Sequence, residues 1–164
     1  TYRCTRETAE YGRAVLGKQA PTDGIIVKRQ GAPVLETAYE SEGRLVVSLV
    51  ERLSTLLDGE SSARVAVITR EPSTAEALWI ALENRLPARL VLDGDFCFDA
   101  GIEVTDVSQV KGLEFDDVVV PDADARTYPD TPDARRALHV AITRAIHRVW
   151  VAWAGPRSRL LPNP

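Results

Sequence analysis

Methionine is absent from the chain, cysteine and histidine occur twice each, and aromatic residues make up 6% of its 164 positions. The missing methionine predicts that Thr1 is an internal residue of a longer protein. Cys4 and Cys97 form no CxxC pair, so neither a zinc site nor a disulfide framework is expected, and two scattered thiols fit a reducing cytoplasm. His139 and His147 lack metal-ligand spacing, so no metal ligand is assigned. No run approaches the roughly 20 apolar residues of a membrane span, and no basic-then-apolar leader opens the chain. A membrane partner is therefore not expected. What remains is a composition of 45% hydrophobic and 27% charged residues with a formal net charge of −4. This fits one packed domain with its own core. Mild acidity provides no bulk attraction for nucleic acid, although a local basic groove can work on an acidic protein.

Helices and strands alternate along the sequence. Thr5 can cap a helix that Gly17 ends. Residues 24–29 and 33–39 read as short strands. Leu45, Leu49 and Leu53, with Leu56 or Leu57, then fall on one helical face. The β-branched run Ala63 to Thr69 reads as a strand buried on both faces. Ser73 and Glu76 have the spacing of a capping box for a helix carrying Ala75, Leu78, Trp79, Leu82 and Leu86 inward. Arg89 to Leu92, Ile102 to Val107 and Val118 to Val120 are further strands. Thr131-Pro132-Asp133 starts a helix expected to reach Ile146, because it joins a capping hydroxyl, a first-turn proline and an acid at the positive dipole end. A last strand follows from Arg148 to Trp153. The order predicts an α/β fold with a mostly parallel sheet and helices on both faces. The domain is assigned to residues 1–155, with 156–164 as an extended tail.

Three segments carry chemistry. Thr1-Tyr2-Arg3-Cys4-Thr5 precedes the first helix. Val107-Ser108-Gln109-Val110-Lys111-Gly112-Leu113-Glu114-Phe115-Asp116 links two strands. Ala137-Leu138-His139-Val140-Ala141-Ile142-Thr143-Arg144-Ala145 closes the last helix. In type and order they resemble motifs IV, V and VI of the UvrD/Rep-type superfamily 1 DNA helicases. The resemblance spans nearly the whole chain and points to the C-terminal, second RecA-like motor domain. Departures are Thr1 where asparagine is common, Cys4 where serine is common, and Val107 where a histidine often stands.

The resemblance implies a RecA-like three-layer α/β/α domain that contributes half of an ATP site. Phosphoryl transfer relies on positioning and on cations set against developing γ-phosphate charge, a task suited to the always-charged guanidinium fork. Arg3 and Arg144 are accordingly the expected catalytic arginines. Tyr2 would stack on the adenine, Glu114 would accept from the ribose hydroxyls, and Gly112 would permit the tight turn between them. Ser108, Gln109 and Lys111 would face single-stranded DNA. No GxxxxGK[ST] phosphate cradle occurs in the sequence. The resemblance thus assigns the phosphates and Mg²⁺ mainly to an absent first RecA-like domain of the same parent chain. It implies an ATP-dependent helicase or translocase whose isolated fragment is inactive, with repair or transcription partners. Alternatives are a HelD-like translocase acting on RNA polymerase, a catalytically silent RecA-like interaction module, and a flavodoxin-like small-ligand domain.

Overall fold

A computed structural model of the chain describes residues 3–24 and 26–163. Its six strands form one sheet in the order β1 (Leu35–Tyr39), β6 (Ala145–Ala154), β5 (Phe115–Val120), β2 (Arg64–Thr69), β4 (Gly101–Asp106), β3 (Ala88–Val91). Every neighbouring pair runs parallel. Parallel pairing requires crossovers, and the helices supply most of them. Helices α1 (Arg6–Leu16) and α4 (Pro132–Ile142) share one hydrophobic core with Ala66, Ile68, Val118, Val120, Val149 and Val151. Helices α2 (Glu42–Gly59) and α3 (Pro72–Leu82) share the other with Val65, Val67, Val119, Ala152, Ile102 and Val104. Successive strand residues enter opposite cores, as the period of two demands when both faces are covered. The predicted three-layer α/β/α fold is what forms.

Several local expectations change. Residues 26–30 form no strand; Ile26 is exposed and Val27 buried. That segment instead serves α1, with Arg29 O accepting from Arg6 N at 2.7 Å. Ile25 lies outside the described residues. Helix α3 begins at Pro72 after Glu71, so Ser73 sits inside the first turn and is not the cap. The fixed φ of proline favours the first helical position, and this moved the start upstream of the Ser73–Glu76 pair. Helix α4 has the expected Thr131 cap, whose side chain accepts from Ala134 N, but it stops at Ile142 rather than Ile146. There Thr143 Oγ1 donates back to His139 O at 2.8 Å, and Phe115 N donates to Arg144 O at 2.9 Å. Sheet pairing claims Ala145 onward, so the strand is four residues longer than periodicity suggested at its two ends.

Helices α1 and α4 pack antiparallel: Gly12 lies against His139 and Thr143, and Val15 O accepts from Arg135 Nη1 at 2.9 Å. This brings the start of α1 and the end of α4 to the same end of the domain. Residues 156–163 contain neither helix nor strand, yet Ser158, Leu160 and Leu161 are buried. Arg157 fastens the segment to Glu36 at 2.9 Å, and Ser158 Oγ donates to Tyr128 O at 2.7 Å. Among the described residues, no helix is long and apolar enough to cross a membrane.

Candidate functional site

Strands β5 and β6 start side by side, with Phe115 paired to Ala145. The residues just before them, Glu114 and Arg144, are therefore neighbours at the N-terminal edge of the sheet. Arg3 arrives at the same place because it precedes α1, and its Nη1 lies 3.2 Å from Glu114 Oε2. Arg3 is 76% exposed and Glu114 35%, so this pair faces solvent and its water-screened attraction is weak. Such a contact costs little to exchange for a ligand.

Arg144 was expected on a helix; it instead follows the helix cap. Its Nε donates to Val140 O at 3.2 Å and its Nη1 to Leu113 O at 3.4 Å. The guanidinium is thereby tied at its base to both α4 and the loop before β5. Gly112 has φ 78°, a left-handed conformation that a side chain would strain, and Cβ space is open there. Below it, Leu113 is half-buried and Phe115 fully so, anchoring the loop in the core. Cys4 sits buried close to Arg144 and Glu114, and burial pushes its thiol pKa up, so it stays protonated and unreactive.

The predicted residues do not form one cluster. Ser108 and Gln109 lie in a 3-10 turn at the C-terminal end of β4, the opposite sheet edge from Glu114. Asp106 holds this turn, accepting from Ser108 N at 2.9 Å and from the Ser108 hydroxyl. Gln109 Nε2 reaches Ser108 Oγ at 3.5 Å, and Lys111 is exposed between the two edges. Arg3, Gly112, Glu114 and Arg144 thus belong to one edge, and Ser108 and Gln109 to the other. Tyr2 lies outside the described residues. No group of three or more His, Cys, Asp or Glu side chains suited to a metal ion occurs among the described residues.

Sequence reasoning missed Arg64. It begins β2, yet its Nη1 donates to Glu114 O at 3.3 Å and its backbone N–H to Asp116 Oδ2 at 2.8 Å. Residues fifty positions apart leave no periodic trace of such a contact. Asp117 on β5 is also buried, and it pairs with Arg148 Nε at 2.6 Å.

Residues 101–152 match the family model of the UvrD-like helicase C-terminal domain. The solved C-terminal domain of a possible DNA helicase from Lactobacillus plantarum WCFS1 superposes with a TM-score of 0.80 at 25% identity, covering 98% of this chain and 91% of that one. Weaker likenesses are to the Hef helicase domain of Pyrococcus furiosus (TM-score 0.48, 18% identity, 67% of this chain and 26% of that one) and to the UvsW helicase of bacteriophage T4 (0.49, 9%, 73% and 46%). No curated protein sequence matches the chain.

Proposed function

We propose, from the match of residues 101–152 to the UvrD-like helicase C-terminal domain, that this chain is the second motor domain of an ATP-dependent DNA helicase or translocase. The observation that carries this reading is the meeting of Arg3, Glu114 and Arg144, drawn from three distant segments, at one solvent-facing edge. A guanidinium pair and a carboxylate are the complement of a nucleoside triphosphate: cations for phosphate oxygens, an acceptor for ribose hydroxyls.

In this reading Glu114 releases Arg3 and accepts from the ribose. Arg3 and Arg144 turn toward the γ-phosphate and stabilise charge as it develops. Arg144 is well based for this, since Val140 O and Leu113 O fix its Nε and Nη1 and, among the described residues, its Nη2 has no hydrogen-bond partner. Tyr2 would orient the adenine by stacking. The phosphate cradle and the Mg²⁺ ligands belong to a first RecA-like domain of the parent chain, consistent with the absence of a GxxxxGK[ST] run. Mg²⁺ would supply charge neutralisation between the phosphates. Ser108, Gln109 and Lys111 lie along the path from the opposite edge and contact single-stranded DNA, so nucleotide and nucleic acid are read at separate edges of one rigid sheet.

The test is single-strand-stimulated ATP hydrolysis by the full-length protein. Arg3→Ala and Arg144→Ala should each lower kcat by roughly 10³-fold, the scale of an arginine finger. Arg3→Ala should leave the domain folded, because the Arg3–Glu114 pair is exposed and worth at most about 1 kcal/mol. A urea melt of Arg144→Ala, which also loses bonds to Val140 O and Leu113 O, separates any folding defect from the loss of turnover. Unchanged turnover in both variants sinks the assignment, as would robust hydrolysis by this chain alone.

A further inference from the structure

Arg64 occupies an unusual setting for a strand-leading arginine. Its guanidinium carbon lies 5.2 Å from the ring centroids of both Phe98 and Phe115. Its Nε and Nη2 are buried without a hydrogen-bond partner, leaving Nη1 to Glu114 O as its directed bond. Burying a cation with unmet donors is unfavourable, and aromatic faces offset that cost only in part. Phe98 is itself held at φ 57°, and the residue is 59% exposed. A bulky residue in the left-handed region, showing an aromatic ring to water, is strained twice over.

These costs converge on one result. Arg64 Nη1 grips the carbonyl of Glu114, its own N–H grips Asp116, and its side chain packs on Phe115 between them. On the other side Arg144 grips Leu113 O and the N–H of Phe115. Two arginines thus clamp consecutive carbonyls of the segment that ends in the Glu114 carboxylate. Arg144 has a further task under the proposed function; Arg64 points away from solvent and has none.

We propose that Arg64 is a positioning residue for Glu114, and that through it the protein prefers a ribonucleotide over the deoxyribonucleotide. This rests on the reading that Glu114 accepts from the ribose. Phe98 acts as the outer face of the clamp, closing over the guanidinium so that it cannot swing into water and release the carbonyl.

The experiment compares KM and kcat for ATP and 2′-deoxy-ATP in the full-length protein with Arg64→Met, Arg64→Lys, Phe98→Ala and Glu114→Ala. Losing a charge-assisted bond that orients a ligand contact should raise KM for ATP about tenfold in Arg64→Met, with a much smaller change in kcat. KM for 2′-deoxy-ATP should hardly move, so the preference collapses. Arg64→Lys keeps one donor and should recover part of it, and Phe98→Ala should give a weaker form of the same defect. Arg64→Met added to Glu114→Ala should make no further difference to the preference. A merely structural role would instead weaken both nucleotides alike, which overturns the proposal. If Glu114→Ala abolishes the preference while the Arg64 and Phe98 variants keep it, the proposal fails and the ribose reading stands. If Glu114→Ala keeps it, both fall.

Discussion

The seam between α1 and α4 sets how Arg3, just before α1, stands relative to Arg144, just after α4. Its tightest point is Gly12. A Cβ built there would lie 2.9 Å from Thr143 Cγ2 and 3.2 Å from His139 Nδ1. Gly12→Ala therefore opposes two effects of similar size. Helix propensity favours alanine by about 1 kcal/mol. Overpacking disfavours it by about 1–3 kcal/mol when the neighbours cannot yield. Here they are held. Thr143 Oγ1 is bonded to His139 O at 2.8 Å and Val140 O at 3.3 Å, so turning the methyl aside breaks those bonds. His139 Nδ1 is 3.0 Å from Gly12 O, which can only accept, so this nitrogen carries the proton. Overpacking should win, and Gly12→Ala should destabilise the chain by about 1 kcal/mol, lowering Tm by about 2–4 °C. Thr143→Ser removes the offending methyl at a transfer cost of about 0.8 kcal/mol. Urea unfolding of the parent, both single variants and the double variant, with equal m values, isolates the coupling. The double variant should be about 1 kcal/mol more stable than additivity allows. Strict additivity, or a Gly12→Ala variant stabilised by its full helix propensity, would refute the close contact and the seam built on it.

Two further outcomes follow from buried polar groups at the C-terminal edge of the sheet. Tyr128 is fully buried and its hydroxyl has no hydrogen-bond partner among the described residues. Tyr128→Phe should raise stability by about 1 kcal/mol, and a loss of that size in urea melts would mean the hydroxyl is satisfied. Asp122 is buried with Oδ1 unpartnered, and desolvation pushes its pKa up from 3.8 to about 7. Raised in the folded state, this carboxyl favours folding while protonated; its contribution is complete below pH 3.8 and is lost as pH rises through about 7. Asp122→Asn should flatten that slope, so its stability advantage over the parent grows between pH 4 and 7 and then levels off, and parallel pH profiles would contradict the assignment.

Some of the architecture is written in local chemistry. Thr5 and Thr131 cap the helices they were expected to cap, because a hydroxyl and the N–H groups it serves lie within three residues. The leucine stripe of α2 and the apolar run of β2 reveal their buried faces by spacing alone. With helices alternating between strands, these patterns suffice for a parallel three-layer fold. The three motifs singled out Arg3, Glu114 and Arg144 as candidate site residues, and the fold brings them to one edge of the sheet.

Long-range competition decided the rest. Whether residues 143–146 continued a helix or began a strand depended on β5 lying alongside, which put Arg144 at the edge of the sheet instead of on a helix face. The segment around Val27 had the look of a strand but found no neighbouring edge, and it became a brace for α1. Parallel topology then separated Ser108 from Glu114, six residues apart in sequence, because the connection between them crosses from one end of the strands to the other. Arg64 was invisible for the same reason. A residue's local pattern tells which way it faces, but only the folded sheet determines which distant carbonyl it meets.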